Sequence, residues 1–284
     1  MKRQPCIDIP RAEFWPAVDS NARHGENPRW DVHTRSVYWI DMPAGILHRH
    51  TAEGNVRQSW TLASELSTIV LGEDGRVLVG VGNELQWFDP LRETIERWQV
   101  IPHFDTGRCR FNDAAWAPDG SLWLASMSRD ATSPLGAMFR VTSSAVDTLA
   151  SQVIIGNGPA FDRKRQRAYY ADTPRREVYV VDLTKRFTPT LFARFGDGEG
   201  FPDGMCVDEQ GRLWIAHYDG ENVSCWSPDG TRVANMRLPG TCPTAIAMVP
   251  SNTGEILAAV TTSTLRKMRG GLLFVRVPAS IDQA

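Results

Sequence analysis

Length, composition and charge favour a protein that acts on small molecules. The 284 residues include 31 basic and 33 acidic side chains, so no charge surplus favours nucleic acid or an anionic membrane. No stretch reaches the ~18 consecutive apolar residues of a membrane span, and the N-terminal residues lack the apolar core of a signal peptide. We therefore expect a cytoplasmic protein with no nucleic-acid or membrane partner, as a monomer or a weak homo-oligomer.

A strand signature recurs six times along the chain. Its anchor pairs are Tyr38-Trp39, Val77-Leu78, Leu122-Trp123, Tyr169-Tyr170, Leu213-Trp214 and Ile256-Leu257. Successive anchors stand 39 to 47 residues apart. A repeat of this length, with alternating apolar residues and tight Asp/Gly turns, is typical of four-stranded propeller blades. The sequence predicts an all-β fold: a six-bladed β-propeller with four antiparallel strands per blade, forming a single domain over residues 1–284.

The last repeat predicts how the propeller closes. It ends at Gly270 to Val277, which leaves few residues to complete a blade. A strand near Phe14 to Val18 would supply the missing edge, because an unpaired edge strand invites aggregation. We predict that this N-terminal strand closes the propeller.

Four polar residues precede their anchors by similar intervals. Glu26 and Asn157 lie 12 residues before theirs, and Asn112 and Asp203 lie 10 before theirs. An Asn or Asp beside Gly, taken alone, would be an ordinary turn former. Because equivalent positions of propeller blades point to the same place, we expect the four to converge at one end of the central channel. Such carboxylate and amide oxygens suit Ca²⁺, Mg²⁺, Mn²⁺ or Zn²⁺.

Further polar residues carry weaker signals. Arg110 lies two residues before Asn112 on a predicted strand and shares its face, so it would either bind an oxygen-rich ligand or form a surface ion pair. His24, His103 and His217 lack the paired spacing of metal ligands. We expect structural or exposed roles for these histidines.

Several motifs together resemble a known family. They are Gly25-Glu26-Asn27-Pro28-Arg29-Trp30, Arg110-Phe111-Asn112-Asp113, Asn157-Gly158-Pro159-Ala160-Phe161, Tyr169-Tyr170-Ala171-Asp172-Thr173 and Pro202-Asp203-Gly204-Met205. In this order they resemble the gluconolactonase and senescence-marker-protein-30 (regucalcin) family. The likeness extends from about Glu26 to Gly271.

The resemblance implies a six-bladed propeller that hydrolyses sugar lactones with one divalent metal. Ca²⁺ or Zn²⁺ is expected, with Mg²⁺ or Mn²⁺ as alternatives. The implied metal ligands are Glu26, Asn157 and Asp203, and Asp203 also matches the proposed general base. The implied substrate-binding residues are Arg110, Asn112 and Asp130, although the sequence around Asp130 departs from the family's.

Two departures bear on the substrate, and other functions stay open. His24 and Arg129 replace residues that are more often aliphatic and acidic in the family, which suggests a lactone with an anionic group. One alternative is another metal-dependent esterase or an organophosphate hydrolase on the same propeller. The other is a non-catalytic metal-binding propeller, because a fold alone does not assign a function.

Overall fold

The computed structural model describes residues 6–18, 20–51, 57–250, 256–265 and 270–282. Apart from one short helix, α1 (Ala279–Asp282), and two 3₁₀ turns, Met42–Ala44 and Thr173–Arg175, the elements in these ranges are strands. Within the described residues, no helix is long and apolar enough to cross a membrane.

The strands form six sheets, which we give in chain order after two short N-terminal strands. These two are β1 (Ile7–Ile9) and β2 (Phe14–Pro16). The first sheet contains β3 (Gly25–Asp31), β4 (Ser36–Asp41), β5 (Ile46–Thr51) and β6 (Arg57–Thr61). The second contains β7 (Thr68–Leu71), β8 (Val77–Val81), β9 (Glu84–Asp89) and β10 (Thr94–Val100). The third contains β11 (Cys109–Trp116), β12 (Leu122–Ser128), β13 (Gly136–Val141) and β14 (Val146–Val153).

The other three sheets lie in the second half of the chain. The fourth contains β15 (Gly156–Asp162), β16 (Arg167–Asp172), β17 (Glu177–Asp182) and β18 (Thr190–Arg194). The fifth contains β19 (Phe201–Val207), β20 (Leu213–Tyr218), β21 (Asn222–Trp226) and β22 (Arg232–Arg237), with β1 added alongside β22. The sixth contains β23 (Pro243–Pro250), β24 (Ile256–Thr262) and β25 (Gly271–Val277), with β2 beside β25.

The predicted fold class is confirmed: the six sheets are the blades of a six-bladed β-propeller. Every anchor pair lies on the second strand of its blade, namely β4, β8, β12, β16, β20 or β24. These strands have both faces covered, which is why their sequences are apolar at most positions. The parallel pairing of β1 with β22 was not predicted.

The N-terminal strand closes the last blade, as predicted. Phe14, Trp15 and Pro16 pair antiparallel with Val275, Phe274 and Leu273. The strand spans Phe14–Pro16 and so ends before Val18, whose side chain is 58% exposed. Trp15 stacks on Phe274 with the ring centroids 6.3 Å apart. The sixth blade therefore contains strands from both ends of the sequence.

The chain divides into two compact units, each with its own cores. The first unit consists of Met1–Asp41, His48–Ser59 and Phe195–Ala284, and the second of Met42–Leu47 and Trp60–Arg194. In the first unit, Trp214, Met236 and Val260 belong to one buried cluster. In the second, Phe111 and Leu124 belong to another. That residues 1–284 form a single domain stays a prediction.

Trp15→Ala should lower the free energy of unfolding by about 2 kcal/mol, because it removes a half-buried aromatic ring that holds β2 on the last blade. Urea denaturation of the purified protein measures this change. Val18→Ala is the matched control and should change stability by less than about 0.5 kcal/mol, because its side chain is exposed. Equal stabilities for the two variants would contradict a stabilising role for β2.

Candidate functional site

Four of the predicted site residues lie near the starts of the first strands of four blades. Glu26, Asn112, Asn157 and Asp203 are each buried, with 2 to 6% of their surface exposed. In each of these strands the pairing register shifts at or directly after the named residue. Such β-bulges re-aim a side chain and are common next to active sites.

The bulges explain why the four residues have two different spacings from their anchors. Glu26 and Asn157 are paired residues directly before a bulge and face Ile40 and Ala171 in the same register. Asn112 and Asp203 lie inside their bulges instead. The similar intervals to the anchors therefore correspond to two related strand positions rather than to one.

An aspartate ends the second strand in both blades of the first kind. Asp41 accepts hydrogen bonds from the backbone N–H groups of Arg23 and His24, at 3.1 and 3.2 Å. Asp172 accepts them from those of Ile154 and Ile155. These bonds fix the segments that lead to Glu26 and Asn157.

A sequence motif accompanies these two aspartates. Tyr38-Trp39-Ile40-Asp41-Met42-Pro43 and Tyr169-Tyr170-Ala171-Asp172-Thr173-Pro174 repeat one pattern of Tyr, aromatic, aliphatic or Ala, Asp, any residue and Pro. Each motif leads into a 3₁₀ turn. Burial raises the pKa of Asp172, while its backbone hydrogen bonds and Arg175 oppose the change.

In the first unit, Glu26 has a histidine neighbour that the sequence did not reveal. His24 Nε2 lies 3.4 Å from Glu26 Oε1. His24 Nδ1 forms a 2.8 Å hydrogen bond with Ser263 Oγ, and the backbone N–H of Asn27 donates to Glu26 Oε2 at 3.1 Å. Residues 24 and 26 point to the same side of an extended chain. The spacing of His24 and Glu26 could therefore have predicted this contact.

Asp203 lies in the same unit, on β19. Its neighbour Gly204 packs so closely on β23 that an added Cβ would come within 2.3 Å of the Cβ of Ala245. On the other side of β23, Thr244 Oγ1 donates to the carbonyl of Gly25 at 2.6 Å. The strands that carry Asp203 and Glu26 therefore both pack against β23.

The pKa values of two neighbouring side chains, buried Cys242 and half-buried Tyr218, respond to the negative charge of this region. Burial, together with the charges of Asp203, Asp219 and Glu26, raises the pKa of the Cys242 thiol to about 12, although the hydrogen bond from the backbone N–H of Asp219 opposes this change. Burial, followed by Cys242 and Asp203, also raises the pKa of Tyr218. Both groups are thus neutral hydrogen-bonding or packing groups at neutral pH, and Glu26 and Asp203 act on one common neighbour.

In the second unit, the predicted amides form a hydrogen-bonded chain. Arg110 donates to Asn112 Oδ1 at 2.9 Å, and Asn112 Nδ2 donates to Asn157 Oδ1 at 2.9 Å. Asn157 Nδ2 then donates to Thr173 Oγ1 at 2.8 Å. The chain fixes the orientation of both amides and leaves Asn157 Oδ1 a second lone pair. The structure thus brings Arg110, Asn112 and Asn157 together and adds Thr173.

Asp113, beside Asn112, holds the neighbouring bulge. Its Oδ2 accepts from the backbone N–H of Gly158 at 3.1 Å, and its Oδ1 accepts from that of Ala114 at 2.8 Å. Gly158 has a φ of +78°, a conformation that glycine adopts without strain. The Gly-Pro sequence after Asn157 is therefore used to build the bulge.

Asp130 is exposed in the turn after β12. Its carboxylate accepts hydrogen bonds from the hydroxyl and backbone N–H of Ser133 and from the backbone N–H of Thr132. These bonds, led by that of the Ser133 hydroxyl, lower the pKa of Asp130. The role of Asp130 as a substrate contact stays a prediction.

The other two histidines considered in the sequence, His103 and His217, lie outside the hydrogen-bonded groups described above. His217 is fully buried and lies between the carbonyl of Glu199 and the hydroxyl of Ser224, at 2.8 and 2.7 Å. Burial lowers its pKa to about 4, so it is a neutral structural residue at neutral pH. His103 is exposed.

The donor chemistry of the predicted metal ligands fits a hard divalent cation. Glu26 and Asp203 supply buried carboxylates, whose burial favours a nearby cation. Asn157 supplies an oriented amide oxygen with an unused lone pair. Within the described residues, no three His, Cys, Asp or Glu side chains form a cluster that could hold a metal ion. The predicted ligand set contains two carboxylates, Glu26 and Asp203, and takes its third oxygen from the amide of Asn157.

Residues 24–263 match the family described as SMP-30/Gluconolactonase/LRE-like region. The chain belongs to this family. The matched residues begin and end at the hydrogen-bonded pair His24 and Ser263, so the family region includes every strand from β3 to β24.

Curated relatives in this family include named lactonases. The chain is 32% identical over 230 residues to 6-deoxy-6-sulfogluconolactonase of Pseudomonas putida, with 78% of each chain covered. It is 30% identical over 242 residues to pentonolactonase XacC of Haloferax volcanii, covering 81% of this chain and 79% of the relative. The crystal structure of regucalcin from Agrobacterium tumefaciens, titled a calcium-binding protein, is 21% identical. It superposes with a TM-score of 0.85 over 96% of this chain and 95% of that one, which supports the fold.

Thr173→Val should lower the free energy of unfolding by about 1 to 3 kcal/mol, because the buried Nδ2 of Asn157 loses its acceptor while the side-chain shape is kept. Urea denaturation measures the difference. Thr184→Val is the matched control, since the Thr184 hydroxyl bonds to Asp182 at an exposed turn. If both variants unfold at the same denaturant concentration, the amide chain does not depend on Thr173.

Proposed function

We propose that this protein is a metal-dependent hydrolase that opens a sugar (aldono) lactone to the aldonic acid. The observation that carries the proposal is the set of buried carboxylate and amide side chains at the bulged starts of four first strands. Relatives named 6-deoxy-6-sulfogluconolactonase and pentonolactonase support a sugar lactone as substrate.

The proposed metal ligands are Glu26, Asn157 and Asp203, with Ca²⁺ or Zn²⁺ as the metal and Mg²⁺ or Mn²⁺ as alternatives. The oxygen donors, and the description of the Agrobacterium regucalcin as a calcium-binding protein, support Ca²⁺. When bound, the metal supplies a Lewis acid for the lactone carbonyl.

The chain's own residues carry the remaining steps of the mechanism. Asp203 accepts the proton of the attacking water as a general base. Arg110 and Asn112 bind the sugar hydroxyls, which holds the ring in position for attack. The hydrogen bond from Arg110 to Asn112 prepares both side chains for this role. The water oxygen bonds to the carbonyl carbon, the bond between that carbon and the ring oxygen breaks, and the proton held by Asp203 passes to the ring oxygen, which becomes a hydroxyl of the aldonic acid.

Asp130 is proposed as a further substrate contact at the rim. Because its two oxygens already accept bonds from its own turn, it would receive a sugar hydroxyl as an additional donor. We assign Asp130 a supporting role beside Arg110 and Asn112.

Glu26→Gln and Asp203→Asn should each weaken binding of the divalent metal at least about tenfold, because each removes a charged ligand. Titration calorimetry with Ca²⁺ and Zn²⁺ measures the affinities. At saturating metal, Glu26→Gln should recover part of its lactonase activity. Asp203→Asn should stay about a hundredfold or more below wild type, because it also lacks the proposed base.

Asp147→Asn is the matched control, since Asp147 is an exposed carboxylate on β14. The substrate panel contains several aldono-lactones, an aryl ester and a phosphotriester, assayed by proton release after chelation and re-addition of each metal. Full turnover in the chelated enzyme would refute the metal proposal. Turnover of the ester or phosphotriester alone would refute the lactone proposal.

Arg110→Ala should lower kcat/KM about ten- to a hundredfold across the lactones it hydrolyses, because a bound hydroxyl loses its partner. Metal affinity should stay within about twofold of wild type, since a guanidinium is not a metal ligand. Arg97→Ala, at an exposed arginine of β10, serves as the control. An unchanged kcat/KM in Arg110→Ala would show that the substrate binds elsewhere.

A further inference from the structure

Arg129 links three segments of the second unit. Its backbone N–H donates to the carbonyl of Arg108 at 2.8 Å, and its Nε donates to that of Thr106 at 2.9 Å. Its two terminal nitrogens bind both oxygens of Glu65, at 3.2 and 2.7 Å. Paired guanidinium and carboxylate groups in this geometry are among the stronger ion pairs of proteins.

Glu65 is also within electrostatic reach of a second arginine. The hydrogen bond from Arg129 lowers the pKa of Glu65, burial opposes this, and the charges of Arg129 and Arg110 lower the pKa further. Arg110 itself donates to Asn112 Oδ1 and to the carbonyl of Phe111, at 2.9 and 3.0 Å. One carboxylate thus lies near two guanidinium groups, and the bidentate bond goes to Arg129.

The two neighbouring aspartates are held by their own turns. Asp130 accepts bonds from Ser133 and Thr132, and Asp105 Oδ1 accepts one from the backbone N–H of Gly107 at 3.0 Å. Of these three carboxylates, Glu65 is therefore the one whose position depends on an arginine side chain. Removing Arg129 would leave Glu65 as a competitor for Arg110.

We propose that Arg129 is a positioning residue for substrate binding: by holding Glu65, it prevents that carboxylate from drawing Arg110 away from Asn112. The inference rests on the proposed function, in which Arg110 and Asn112 bind the sugar ring. Arg129 acts through Glu65 and does not touch the substrate.

Arg129→Ala should raise the KM for lactones about tenfold and leave kcat within about threefold of wild type, because substrate binding is weakened while the general base is intact. Combining it with Glu65→Gln should restore KM to within about threefold of wild type, since a neutral amide does not attract Arg110. Glu65→Gln alone should raise KM less than Arg129→Ala does. Raising the salt concentration should reduce the defect of Arg129→Ala, because salt screens the attraction between Glu65 and Arg110.

Arg140→Ala provides the matched control. Arg140 lies on β13, is 36% exposed like Arg129, and forms an ion pair with Asp119 at 2.9 Å. Its removal should leave KM unchanged. Urea denaturation of every variant confirms that the differences do not come from unfolding.

A second measurement separates failure of this proposal from failure of the proposed function. A crystal structure of Arg129→Ala should show a guanidinium nitrogen of Arg110 within 4 Å of a Glu65 carboxylate oxygen, whether or not the wild-type protein hydrolyses any lactone of the panel. If Arg110 still bonds to Asn112 in that crystal, the proposal is overturned. It is also overturned if the double variant has the same raised KM as Arg129→Ala, because Arg129 would then act only by connecting the loops that it contacts.

Discussion

The register shifts in the first strands are the constraint on which the candidate site depends. A regular strand would alternate its side chains between the two faces of the blade. The shifts after Glu26 and Asn157, and those that contain Asn112 and Asp203, break this alternation at the points where polar side chains are buried. The backbone can bend there because glycine or proline follows three of these four residues directly or one position later. The four β-bulges thus interrupt regular strand pairing and change the direction of four polar side chains.

Burying those groups requires partners, and the two units provide them differently. In the second unit, neutral amides and one guanidinium satisfy one another from Arg110 to Thr173. In the first unit, the buried groups are carboxylates, and their charge reaches Cys242 and Tyr218. Polar groups that hydrogen-bond to one another can be buried at little cost, whereas a buried charge is costly without a counter-charge. Hydrogen bonds thus orient the amides of the second unit, whereas the first unit contains two buried carboxylates whose charges both act on Cys242.

Sequence periodicity predicted most of the fold because each blade repeats one pattern of buried strands. The anchors identified the second strand of every blade, and the shortage of residues after Val277 identified β2 as the missing strand. β1 was missed because Ile7–Ile9 is too short to show a period and pairs with a strand more than 200 residues away. For the same reason the repeat could not reveal Arg129 and Glu65, which lie 64 residues apart.

Within the site, the sequence repeat predicted equivalent backbone positions, but it did not predict which side chains contact one another. Asp41 and Asp172 occupy the same place in their blades, so Glu26 and Asn157 enter their strands in the same register. The blades of Asn112 and Asp203 lack this aspartate: their second strands end at Ser128 and Tyr218. There the polar residue lies two positions closer to its anchor and inside the bulge. The interval between the polar residue and its anchor therefore has a structural meaning. An interval of 12 residues marks a first strand whose start is fixed by an aspartate, and an interval of 10 marks a first strand without that aspartate.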